Sequence, residues 1–159
     1  MADSWRDLLA PGRFFVGPDW TLSWLRWRAP EVMPFVVAGR DAHGKLVAVL
    51  PLGLTADGEL STCGSENGAA HVDIVSTPEH AKSAAEGALE FLAAQKVPRI
   101  RFQRLAEDGK LFAALRGDVI DGKRVERVAT TCPYLVPATN WEGFLGRLSK
   151  HQRHEVQRQ

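Results

Sequence analysis

The chain is short of most features that announce a chemistry. Its 159 residues include two cysteines, Cys63 and Cys132, which lie far apart and form neither a C-x-x-C pair nor a disulfide framework. Two isolated thiols suit a reducing compartment and structural roles. Apolar runs are short as well, and none approaches the roughly 18 residues that a helical membrane span requires. The N-terminal Met1–Leu9 carries acids and lacks the apolar stretch of a targeting signal, so the expected address is the cytoplasm. Net charge is nearly absent: 20 Lys and Arg against 19 Asp and Glu leave +1. No whole-chain field therefore selects nucleic acid or an anionic membrane, and any partner must be recognised locally.

Sequence motifs are equally sparse. The nearest approach to a nucleophile elbow is Gly64-Ser65-Glu66, which fails the G-x-S-x-G spacing. Neither a Walker A loop nor a G-x-G-x-x-G fingerprint is present, so no Gly-rich phosphate cradle of those kinds is expected. His151 and His154 stand three apart in a helical pattern, but H-E-x-x-H is missing and no third ligand lies nearby, so no metal is expected.

What is present is an ordinary globular composition, 45% hydrophobic and 25% charged, enough for one packed core. A short helix is predicted near Ser4–Leu9. A second starts at Pro18-Asp19, where proline fits the first helical position and the acid opposes the helix dipole, and runs to about Arg28. Trp20, Trp24 and Trp27 share one face of it and read as a core stripe. Phe35–Ala38 and Leu46–Leu50 read as strands joined by the polar turn 39–45, which includes His43, and the second, apolar on both faces, belongs inside a sheet. Further strands are predicted at Gly58–Cys63 and His71–Val75, with the Gly-rich loop 64–68 between them.

From Thr77 to about Gln95 the apolar positions Ala81, Ala85, Ala88 and Leu92, with Ala84 and Phe91 alongside, describe a helix with a small-residue face that can pack closely on a sheet. Pro98–Gln103 alternates as a half-buried strand, Glu107–Arg116 returns to helical spacing, and Arg124–Ala129 and Tyr134–Val136 read as two more strands. Thr139-Asn140-Trp141-Glu142 matches a capping box and opens a last helix, whose face Trp141, Phe144, Leu145 and Leu148 is expected to anchor it to the core. The sum is an α/β (α+β) fold with a mixed, mostly antiparallel central sheet flanked by helices.

Two clusters carry candidate chemistry. His71 and Asp73, two apart on a predicted strand, would share a face beside the Gly-rich loop, and with Glu66 they offer acid and base groups. In the tail, Arg147, Lys150, Arg153 and Arg158 against Glu155 give residues 147–159 a net +3 and leave −2 for the rest. Lys150, Arg153 and Arg158 are candidate substrate-binding cations, and the same helix could meet an acid-rich protein partner. Without aromatic interleaving or a second basic patch, nucleic acid is not the expected ligand.

The order and spacing of several segments add a resemblance. Phe14-Phe15-Val16-Gly17-Pro18-Asp19-Trp20, the hairpin 36–52, Cys132-Pro133-Tyr134-Leu135 and the run from Trp141-Glu142-Gly143-Phe144-Leu145 to Leu148-Ser149-Lys150-His151-Gln152-Arg153 resemble the CelD-like (cellulose-biosynthesis-type) GNAT acyltransferases. The tail is the most specific of these. The resemblance implies a tandem plan similar to the Fem-type aminoacyltransferases, with residues 1–138 as a GNAT-like N-terminal domain and 139–159 as the start of a basic inter-domain helix. On that plan the acyl-CoA (acetyl-CoA) site belongs to a second GNAT half, and the acceptor is a small-molecule amine. The remaining half would lie beyond the present chain, as the rest of a longer protein or as a partner chain.

GNAT enzymes usually cradle the donor's pyrophosphate with [Q/R]-x-x-G-x-[G/A] amides at a helix N-terminus. Here Ser65-Glu66-Asn67-Gly68-Ala69-Ala70 lacks the leading Arg or Gln, and a strand is predicted to follow. No cofactor-binding residue is therefore recognised in this chain. Where the family often shows an "SDYLDP"-like stretch, Ala69–Ile74 retains only Asp73. A non-catalytic interaction domain with a GNAT-like sheet is the alternative.

Overall fold

The computed structural model describes residues 2–28, 31–116, 119–120, 123–128 and 138–158. They divide into two compact units, 1–126 and 127–159.

In the first unit, α1 (Ala2–Arg6) is followed by a 3-10 turn, Phe14–Val16, and by α2 (Pro18–Arg28). Pro18 begins α2 as its missing N–H allows, and Asp19 in the first turn receives the Arg6 guanidinium at 2.6 Å, which fastens α1 to α2. The tryptophan stripe is core in part: Trp24 is buried and Trp20 half-buried, whereas Trp27 is 66% exposed beside Arg28.

The expected hairpin forms from β1 (Val32–Arg40) and β2 (Leu46–Thr55), antiparallel from Val32↔Thr55 to Arg40↔Leu46. Asp41 closes the turn by accepting the His43 and Lys45 amides, both at 2.9 Å. The first eight residues of β2 are buried, as its two apolar faces predict, because strands flank it on both edges. β3 (Glu59–Thr62) and the short β4 (Val75–Ser76) both pair with it antiparallel. α3 (Ala81–Ala93) then leads to β5 (Arg99–Arg101), which lies parallel to β3. The result is an open five-stranded sheet, mostly antiparallel and flanked by helices, consistent with the expected GNAT-like α/β (α+β) class. One face of β2, through Ala48, Leu50 and Leu52, packs on Ala85, Ala88, Leu89 and Leu92 of α3 and on Leu111 of α4 (Lys110–Ala114). Val49, on the other face, joins Trp5, Val16 and Val72. A separate two-stranded hairpin joins β6 (Val119–Ile120) and β7 (Lys123–Arg124).

Three expectations change. The strand predicted over His71–Val75 shrinks to Val75 in β4 plus an isolated bridge between Val72 and Leu105, because His71 takes the left-handed region at φ +53° and breaks the two-residue alternation. The strand predicted over Arg124–Ala129 keeps only Arg124; residues 125–128 find no strand partner among the described residues, and Ala129 lies outside them. Tyr134–Val136 and Cys132 also lie outside the described residues.

The third change concerns the last helix, in the second unit. It is two helices, α5 (Trp141–Arg147) and α6 (Lys150–Arg158), separated where Leu148 becomes extended. The N-cap of α5 is Asn140, not Thr139; its side chain accepts the Gly143 amide at 2.7 Å. The capping box belongs instead to α6, where Ser149 Oγ accepts the Gln152 amide at 3.3 Å and Gln152 Oε1 accepts the Ser149 amide at 3.1 Å. Trp141, which stacks on Phe144, is exposed, and Phe144, Leu145 and Leu148 are half-buried.

Candidate functional site

Asp73 and His71 part company in three dimensions. The Asp73 carboxylate, 5% exposed, points at the start of α4: Oδ1 accepts the amides of Ile74 (2.9 Å) and Leu111 (2.8 Å), and Oδ2 accepts that of Lys110 (2.8 Å). It supplies a helix cap that the adjacent Gly109, lacking a side chain, cannot. His71 is exposed on its left-handed turn, where its carbonyl accepts Arg13 Nη1 at 3.2 Å. Among the described residues no hydrogen bond joins the two. The side chain of Glu66 lies outside the described residues.

The Gly-rich loop is folded against the sheet. Gly64 and Gly68 hold left-handed φ at the two ends of a 3-10 turn, and the amides of Asn67 and Ala69 both donate to the Gly64 carbonyl at 3.0 Å. Asn67 Oδ1 accepts Trp24 Nε1 at 2.9 Å, and buried Ser65 donates to Gln103. Two of the loop's amides are thus already engaged, and the chain enters irregular backbone rather than a long helix.

In the tail, Lys150 is exposed at the start of α6. Arg153 donates to the carbonyls of Leu145 (3.0 Å) and Leu148 (3.3 Å), so its guanidinium terminates α5, and Arg158 lies 3.4 Å from Glu155. His151 and His154 are exposed on α6, and among the described residues no group of three His, Cys, Asp or Glu could hold a metal ion.

A hollow of the first unit lies elsewhere, between β1 and α3. Its volume is about 650 Å³, within the common range of ligand sites. Phe35 and Val37 form the sheet wall, Ala84, Gly87 and Phe91 the helix wall, and His80 and Ser83 are its polar residues on the helix side. His80 Nδ1 sits 2.8 Å from the Thr77 hydroxyl, and Glu79 is held below the usual carboxylate range by its own backbone amide and Thr77.

No family model, curated protein or solved structure matches this chain.

A smaller hollow of about 160 Å³ opens on the opposite sheet face, where Glu59, 15% exposed, pairs with Arg101 (3.0 Å) and Arg99 (3.5 Å) beside Ser61 and Gln103. No helix among the described residues is long and apolar enough to cross a membrane. The small-residue face of α3, expected to pack closely on a sheet, gives no sign of the β1–α3 cleft in the sequence. Ala81, Ala85 and Ala88 do pack, whereas a methyl group added at Gly87 would meet nothing within 4 Å.

Proposed function

We propose that this chain is the acceptor-side part of an acyl-CoA-dependent N-acyltransferase whose acyl-CoA (acetyl-CoA) site lies in a second GNAT half. The observation that supports this most is topological: β5, reached from β3 by way of β4 and α3, lies parallel to β3 and inserts one parallel pairing into an otherwise antiparallel sheet. That is compatible with the architecture implied by the motif order.

In the reaction the acceptor nitrogen attacks the thioester carbonyl. A C–N bond forms, the C–S bond breaks and CoA leaves as its thiol. The amine proton passes to a base or to water, and backbone amides hold the oxyanion. Of the candidates, His71 is an exposed imidazole on its turn, whereas Asp73 caps α4.

Calorimetric titration of acetyl-CoA, followed by a thiol-release assay with the C-terminal half added and a panel of amines, tests the reading. No binding by this chain alone and CoA release by the mixture are expected. Micromolar binding by the chain alone would displace the donor-site assignment, and no release with any acceptor would sink the proposal. The second reading, a non-catalytic interaction domain, is favoured by one observation: the candidate carboxylate best placed by sequence is used structurally.

A further inference from the structure

We infer that the small hollow over β3 and β5 is a carboxylate-binding site, in which Ser61, Gln103 and Arg101 donate to the oxygens of a small monoanionic ligand. The inference does not depend on the acyltransferase reading.

Strand register builds the hollow. Glu59 pairs with Arg99 and Ser61 with Arg101 across the parallel β3–β5 ladder, so alternation puts these four side chains on one face of the sheet. Leu60 and Ile100, between them, take the other face and join the core against α3. Gln103, two residues beyond Arg101, also lines the hollow, Val32 and Thr55 close its β1–β2 side, and Trp24 and Arg28 line it from α2.

Hydrogen-bond bookkeeping gives the chemistry of the ligand. Buried polar groups are ordinarily paired. Ser61 is 9% exposed, yet its hydroxyl, which lines the hollow, has no hydrogen-bond partner among the described residues. Gln103 is fixed from the protein side: its Oε1 accepts from buried Ser65 and its backbone amide donates to Thr62 Oγ1 at 3.3 Å, which leaves Nε2 for the hollow. Arg101 Nη2 meets Glu59 Oε2 at 3.0 Å, and the rest of its N–H fork is open. The acceptors, by contrast, are engaged. Glu59 Oε2 holds both Arg101 and Arg99, and Thr55 Oγ1 is bonded to Asp57 and to the Glu59 backbone. Open valences in the hollow are therefore chiefly donors, and the ligand must bring the acceptors.

Charge and size narrow the ligand further. Two guanidiniums, Arg28 and Arg101, line the hollow against the one carboxylate of Glu59. Glu31 pairs with Arg28 at 3.2 Å and Arg99 with Glu59 at 3.5 Å from outside the lining, and Asp57 is exposed at its edge. A planar carboxylate matches the arginine fork, whereas a phosphate dianion would bring a second negative charge up to Glu59. A volume of about 160 Å³ is too small for a drug-sized ligand and admits the acid end of a small molecule.

The test is two-dimensional amide NMR of the isotope-labelled chain, titrated with sodium propionate, propionamide and inorganic phosphate at constant ionic strength. Saturable shifts at the amides of Ser61, Arg101 and Gln103 and at the Trp24 indole N–H are expected with propionate at a millimolar Kd, with no saturation by propionamide. Ser61→Ala should weaken propionate about fivefold and Arg101→Gln at least about tenfold. Both variants should melt within about 3 °C of the parent, since the Ser61 hydroxyl has no bond to lose and the Arg101 side chain is 46% exposed. Arg99→Gln, outside the lining, should leave the Kd within about twofold. No saturation, an equal response to propionamide, or unchanged affinity in either folded variant overturns the site, and tighter binding of phosphate than of propionate overturns the carboxylate assignment.

Discussion

Replacing Asp73 by alanine separates a structural carboxylate from a catalytic one. The side chain is 5% exposed and satisfies the amides of Ile74, Lys110 and Leu111 at 2.8–2.9 Å. α4 has only five residues and starts at Gly109 without a side-chain cap, so no neighbour in sequence can replace the lost acceptor. An unpaired buried amide costs about 1–3 kcal/mol. With two helix amides orphaned, Asp73→Ala should cost about 3–5 kcal/mol. At about 3–5 °C per kcal/mol for a unit of this size, the melting temperature should fall by about 10–20 °C. Asp73→Asn retains one oxygen acceptor, which can still serve Ile74 and Leu111, and should cost about 1–2 kcal/mol. Circular-dichroism melting and urea unfolding with an unchanged slope provide the measurement. If Asp73→Ala melts within about 3 °C of the parent, the capping account fails and the carboxylate is again available for chemistry.

Gly53 sits where an added Cβ would meet Val32 Cγ1 at 2.5 Å and the Trp24 ring at 3.4 Å; Gly53→Ala should destabilise the first unit by about 1–3 kcal/mol in urea unfolding. The Asp19 carboxyl is held below its ordinary range mainly by the hydrogen bond from Arg6 and also by that guanidinium's charge. A depressed native value means that the contribution is present above the unfolded pKa and is lost as pH falls through the native one. An NMR titration should place the Asp19 midpoint below that of an unstructured peptide, and in Arg6→Gln it should return to the peptide range. Ser149→Ala removes one half of the capping box; it should cost about 1 kcal/mol locally and raise amide exchange at Gln152 and in the first turn of α6.

The sequence was most readable where local chemistry and burial agree. Pro18-Asp19 starts α2 as read, the polar turn 39–45 joins two strands, and the apolar faces of β2 place it inside the sheet. The tail misled because two capping patterns overlap there. Thr139-x-x-Glu142 fits the capping-box pattern, yet Asn140 caps α5, and Ser149-x-x-Gln152 starts a separate helix. Periodicity alone also put His71 and Asp73 on one strand face, but the left-handed backbone at His71 turns the chain between them.

By itself the sequence determined the alternation of helices and strands, the buried faces of β2 and α3, and the balance of charge, since these depend on residue type and spacing. Only the tertiary structure decided that Asp73 serves a helix start 37 residues away and that Gly87 leaves a gap rather than a contact. Caps and gaps of this kind are relations between segments distant in the chain, and they exist once the sheet has brought those segments together.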